Sequence, residues 1–175
     1  MILAIDTATR WAGLALHDGT AVIAEHGWRC LNNHTIEMTP AIADMLKRAG
    51  VEPADLSGIA AAVGPGSYTG LRVGLAVAKG ISLAHQLPLV GVPTLDIVAH
   101  SFSESNNPLV VMAEAGRTRL CAGLYRWQGR KGWRSDSQPL IASLTDVLAT
   151  LAAEPITFTG EITPAAAKQI RAAHK

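Results

Sequence analysis

GPGSYTGLRVGLAVAKGIS, residues 64–82, begins as a turn and continues as a helix. Gly64, Pro65 and Gly66 punctuate the end of the apolar run 59–63. Ser67 or Thr69 offers a hydroxyl to the free N–H groups of a helix start, and 71–83 contains no proline. At about 100° per residue, Gly70, Gly74, Val77 and Ile81 share one side, flanked by Val73 and Ala78. Leu71, Leu75, Ala78 and Ser82 make a second side, which leaves a narrow remainder of Arg72, Lys79 and Leu83. A helix apolar nearly all round needs cover on more than one face. One cover is expected to be the chain's own sheet. The other is expected to be a different chain, because Gly70, Gly74 and Ala78 are spaced to let a second helix approach closely.

Composition limits what surrounds this helix. At 175 residues and 18.4 kDa the chain can hold one domain or two small ones. An apolar fraction of 49% supports a sizeable core, while charged residues are sparse at 17%. A net charge of +1 gives no electrostatic case for broad nucleic-acid or membrane binding. The densest basic run, 126–134, includes Trp127 and Trp133 and reads as a solvated hairpin whose aromatics pack on the strands. Cys30 and Cys121 are too few and too far apart for a disulfide framework or a CxxC metal knuckle. MILAIDTATR carries an aspartate in its apolar run and no basic leader, so no signal peptide is expected. No apolar run approaches ~18 residues. The expectation is a soluble, reduced, cytoplasmic protein without membrane contact.

Strands are expected at 2–5, 11–17 and 20–28, with Asp18-Gly19 as a hairpin turn. A helical pattern runs from Ile36 to Ala49, with Asn33 as N-cap, Glu37 in the first turn, and Gly50 ending it after Lys47 and Arg48. Runs 59–63 and 89–92 read as buried strands on either side of the central helix, and a further helix covers 94–102. SFSESNNP, 101–108, is the best domain boundary. Beyond it, strands at 109–114, 119–127 and, more weakly, 133–142 precede a helix capped by Ser143, a buried strand at 156–159 and a last helix opened by Pro164.

Each half therefore reads strand, strand, strand, helix, strand, helix, although no motif repeats. Three antiparallel strands feeding helix-separated parallel ones is an α/β layout, and its doubling indicates two lobes related by duplication, 1–103 and 108–175. The first half adds a fifth strand and another helix that the second lacks, so the second lobe is expected to be a shortened one. Duplicated folds of this kind include the actin, sugar-kinase and heat-shock-ATPase (ASKHA) group. In that group a hairpin after the first strand holds nucleotide phosphates, and Asp6-Thr7-Ala8-Thr9 occupies the corresponding place. A carboxylate beside two hydroxyls can serve Mg²⁺ and phosphate. The same residues can also simply satisfy backbone groups in a tight turn.

MILAIDTAT at the start, His34-Thr35 opening the first helix, GPGSYTGLRVGLAVAKGIS, and LPLVGVPTLD at 87–96 together resemble the TsaB (YeaZ) family. The resemblance is strong over about 1–96. Later, the family's DARRGEVY-like segment is replaced by Glu114-Ala115-Gly116-Arg117-Thr118-Arg119-Leu120-Cys121. It implies a non-catalytic ASKHA subunit that docks and activates a TsaD-like paralogue in making N6-threonylcarbamoyladenosine beside the anticodon of tRNA. A TsaE-like ATPase joins the larger complex, the subunit forms a homodimer when alone, and tRNA is contacted only indirectly. The implied partner contact falls on Tyr68, Thr69, Gly70, Arg72, Val73, Gly74, Val77, Ala78 and Ile81, with His34 at the head of the first helix. No catalytic residue, metal or cofactor is expected.

The alternative is a phosphotransferase or ATPase that binds ATP or ADP with Mg²⁺ through Asp6, Thr7, Thr9, Gly64 and Gly66. The glycine turn argues against it: Leu71-Arg72 stands where a Walker A loop needs Lys-Ser/Thr, and Pro65 removes a backbone donor. His34 has Met38, not a second histidine, four residues on. A glycoprotease-like hydrolase is a third reading, with no GxSxG elbow and no base near Ser67 or Cys121 in sequence.

Overall fold

Alternation in the first two strands separates a buried face from a partly open one. β1 (Ile2–Asp6) pairs antiparallel with β2 (Trp11–His17), and β2 with β3 (Val22–Arg29). Leu3, Ile5, Ala12, Leu14 and Leu16 are buried, whereas the residues between them are half-buried or exposed, as a period of two requires. The computed structural model describes residues 1–30, 34–116, 119–151 and 154–173, and only the backbone of 34 and 35. The expected N-cap Asn33 and the side chain of His34 lie outside that description.

α1 (His34–Ala49) lays Met38, Ile42, Met45 and Leu46 onto the buried sheet face. The Trp28 indole N–H donates to Glu37 at 2.8 Å and ties this helix to β3. β4 (Gly58–Ala62) then runs parallel to β1, and α2 (Tyr68–His85) crosses over to β5 (Leu89–Val92), parallel to β4. The sheet order is β3-β2-β1-β4-β5.

The second sheet repeats that logic. β6 (Leu109–Glu114) pairs antiparallel with β7 (Leu120–Trp127), and β7 with β8 (Trp133–Ser135). β9 (Leu140–Ala142) also pairs with β7, and β10 (Thr157–Gly160) runs parallel to β6. The expected third strand at 133–142 is thus two short pieces on one edge of β7. Between them Asp136 still donates its N–H to Leu124, but Pro139 has no donor to offer. Among the described residues, no strand in this sheet matches β5.

β6 is buried at five consecutive positions, Leu109 to Ala113, because both its faces are covered. Leu109, Val111 and Ala113 pack with Leu95 and Ala99 of α3 (Thr94–His100) and with Tyr125 and Trp133. Val110 and Met112 pack with Val147 of α4 (Leu144–Ala149) and Ile170 of α5 (Pro164–Ala173). Ser143 caps α4 as its sequence indicates. The compact units are Met1–Thr94 and Leu95–Lys175. They divide ahead of the 101–108 segment, since Leu95 and Ala99 of α3, expected in the first lobe (1–103), belong to the core of the second sheet.

The Tyr125 hydroxyl donates to Asp96 at 2.6 Å and joins β7 to α3, with burial holding its phenol well above the ordinary range. Tyr125→Phe is expected to lower the unfolding free energy by about 1–3 kcal/mol, since a charge-assisted bond disappears and Asp96 loses its donor. A denaturant midpoint unchanged from the parent would contradict this role.

Candidate functional site

The turn after β1 and the turn before α2 meet and lock together. The Ala8 N–H donates to the Asp6 carboxylate at 2.8 Å, closing a local turn. Thr7 is 1% exposed, and its hydroxyl donates to the Gly70 carbonyl at 2.8 Å. From the other side, the Ser67 N–H donates to the Ala8 carbonyl at 2.6 Å. Two glycines make this approach possible. A Cβ at Gly66 would strike the Ala8 carbonyl oxygen, and one at Gly74 would strike the Thr7 hydroxyl. Ser67, rather than Thr69, is the N-cap of α2, accepting from the Gly70 N–H at 3.2 Å.

These contacts occupy the residues that a nucleotide would need. Thr7 is committed to Gly70, and the Thr9 hydroxyl is shared with the N–H and carbonyl of Trp11 at 3.1 Å. The Gly64 carbonyl accepts from the Thr94 N–H at 2.8 Å. Gly66 is brought against Ala8, next in sequence to Asp6 and Thr7, while Thr9 and Gly64 are turned to other partners. Burial pushes the Asp6 carboxyl up, opposed by the Ala8 N–H. Among the described residues, no three His, Cys, Asp or Glu side chains cluster to hold a metal.

α2 itself is oriented differently from the expectation. Gly70, Gly74 and Ala78 are the buried face, so this small-residue row admits the chain's own Thr7 turn and sheet, and no partner helix can reach it. Val77 and Ile81 are half-buried and pack, with Leu75, against the first core. Of the residues expected at the partner contact, Tyr68, Thr69 and Arg72 are exposed and Val73 is half-buried. Tyr68 is 73% exposed, with the Arg72 guanidinium 5.3 Å from its ring centre. The outer face continues through Ala76, Lys79, Gly80, Leu83 and Ala84, and Leu83 is 80% exposed. Ala76, Gly80, Leu83 and Ala84 were outside the expected set. For Leu83 and Ala76 the signal was the arc of about 80° that they share with Tyr68, Arg72 and Lys79, whereas Gly80 and Ala84 lie beyond it.

Two sheets built in the same strand order, each with two antiparallel pairings followed by a parallel strand across a helix, give a doubled α/β protein with an ASKHA-like fold. A solved structure described as YeaZ from Pseudomonas aeruginosa has the same fold, with a TM-score of 0.77 over 98% of this chain and 92% of that one at 20% identity. A model of the TsaD family, tRNA N6-adenosine threonylcarbamoyltransferase, matches residues 29–159. The TsaB protein of Escherichia coli K12, named for tRNA threonylcarbamoyladenosine biosynthesis, is 36% identical over 75% of this chain and 53% of its own length. That of Buchnera aphidicola subsp. Baizongia pistaciae is 31% identical over 84% of this chain and 67% of its own. The chain belongs to the TsaB (YeaZ) family, within the broader family that the TsaD model describes. It spans about half the length of the first curated relatives it matches.

Gly74→Ala is expected to cost about 1–3 kcal/mol by overpacking Thr7. In a Thr7→Ala background that cost should fall by at least about 1 kcal/mol, because the obstructing hydroxyl is gone. Additive losses in denaturant unfolding would refute the notch. For Asp6, the folded value is raised, so its stabilising contribution is complete below the unfolded value and is lost as pH climbs through the folded one. Asp6→Asn keeps an acceptor for Ala8 and should therefore raise Tm near pH 8, with the gain vanishing toward about pH 4. Scanning calorimetry across that range reads it directly.

Proposed function

We propose that the chain acts as a non-catalytic partner subunit in making N6-threonylcarbamoyladenosine in tRNA, docking a TsaD-type subunit through the outer face of α2. The observation that carries this reading is the face itself. Tyr68 and Leu83 stand more than two-thirds exposed on a long helix whose opposite side is already filled. Beside them, Ala76, Gly80 and Ala84 leave room for another helix to come close. Exposed aromatic and aliphatic side chains around a small-residue strip suit an interface core, with Arg72 and Lys79 at its rim. The names of the curated relatives supply the pathway. In this reading a TsaE-like ATPase joins the assembled pair in the cytoplasm. A second copy of the chain covers the same face when TsaD is absent.

The lock between Thr7 and Gly70 serves this role by holding the first turn of α2, and hence Tyr68 and Arg72, in a fixed position. No observation favours a nucleotide site at Asp6, Thr7 and Gly66: the Asp6 carboxylate accepts from Ala8, the Thr7 hydroxyl donates to Gly70, and Gly66 lies close against the Ala8 carbonyl. Nor does any favour hydrolysis: Ser67 serves as a cap, and burial pushes the Cys121 thiol up, away from the reactive thiolate.

Gly80 tests the face cleanly, because a Cβ there meets nothing within 4 Å and arginine is a better helix former than glycine. Gly80→Arg is expected to leave the thermal transition intact and to weaken association with TsaD at least about 30-fold, corresponding to about 2 kcal/mol. Titration of the purified proteins measures this. Wild-type affinity in both Gly80→Arg and Leu83→Glu would remove α2 from the interface.

A further inference from the structure

Four of the chain's 15 basic residues fall in the nine residues 126–134, with no acid among them. The overall charge of +1 therefore hides a local concentration, and the remainder of the chain carries more acids than bases. The hairpin that presents these charges is rigidly built. Gly129 and Gly132 adopt φ of +55° and +69°, values that favour glycine, and form a tight tip. The Gln128 N–H donates to Gly132, and the Lys131 N–H back to Gln128. Below the tip, Trp127 and Trp133 pack edge to face at 5.6 Å, and the Trp133 indole N–H donates to the Phe102 carbonyl. Arg130 and Lys131 are thus carried at the apex of an anchored ribbon, both exposed.

The side-chain pairing on this ribbon is unfavourable by itself. Arg126 and Arg134 are direct cross-strand partners, and like charges so placed repel. Arg126 is relieved by Asp136 at 3.1 Å and Glu154 at 2.8 Å. Among the described residues, no carboxylate pairs with Arg130, Lys131 or Arg134. Three uncompensated, exposed cations on a stiff projection are suited to the phosphates of a nucleic-acid backbone.

We propose that the β7–β8 hairpin is a direct RNA-phosphate contact, through Arg130, Lys131 and Arg134. This rests on the reading of the chain as a tRNA-modification subunit, and it adds a contact that the overall charge did not suggest. The test is fluorescence anisotropy of labelled, unmodified tRNA titrated with the full chain at several salt concentrations. Arg130→Glu/Lys131→Glu/Arg134→Glu is expected to flatten the slope of log affinity against log salt by about 2 to 3, the share of three phosphates. A charge-matched control, Arg29→Glu/Lys47→Glu/Lys168→Glu, should leave that slope nearly unchanged. Equal loss in both triples, no tRNA binding by the parent chain, or equally effective competition by polyglutamate would each overturn the proposal, the last in favour of an acidic protein partner. Association of the hairpin triple with TsaD should stay at wild-type level. Failure of the docking reading would instead appear in the α2 variants and leave the tRNA slope untouched.

Discussion

A hydroxyl buried in a notch sets the geometry of the first unit. Thr7 directly follows the first strand and is fully covered, and burying a hydroxyl without a hydrogen-bond partner is costly. It finds one in the Gly70 carbonyl, 63 residues away in sequence, and can reach it only because Gly74 presents no side chain. The helix is thereby held at one distance and one rotation. Gly70, Gly74 and Ala78 turn toward the sheet, and Tyr68, Arg72, Ala76, Lys79 and Leu83 are left outside. The Ser67 N–H bond to Ala8 and the serine cap on Gly70 fix the start of the helix from the other side.

The same contacts account for the character of the β1–β2 turn. A turn of Asp6-Thr7-Ala8-Thr9 at the carboxyl end of a strand has the chemistry for phosphate and metal. Here the Thr7 hydroxyl and the Ala8 carbonyl are bound to the start of α2, and Asp6 and Thr9 to the nearby backbone of Ala8 and Trp11. What could have been a ligand cradle serves as internal fastening, and the surface of interest moves to the outside of α2. Function in such an arrangement comes from a positioned helix face, with the polar residues acting at one remove.

The two units divide their burial differently. In the second, β6 is covered on both sides, by α3 and by α4 with α5, so its sequence is a continuous apolar run. Tyr125, Asp96, Trp133 and the Phe102 carbonyl tie α3 and its following turn to that sheet. These bonds also explain why the compact unit begins at Leu95, ahead of the polar segment: a polar, proline-containing stretch marks a loop, yet the domain limit follows where the side chains before it are buried.

Much of the fold was legible in the sequence. The strands over 2–6 and 11–17, the Gly64-Pro65-Gly66 turn and the Ser143 cap fall where local chemistry puts them. The repeated order of elements was legible too, and the motif of α2 with its flanking segments carried the family. The burial face of α2 was not legible. A helix that is apolar nearly all round has no single hydrophobic stripe, so periodicity cannot say which side turns inward. Gly70, Gly74 and Ala78 are equally suited to a partner's backbone or to the chain's own, and no local rule distinguishes the two. That choice belonged to the tertiary structure, because it was made by the close fit of Thr7 against Gly74, a contact between residues distant in the chain.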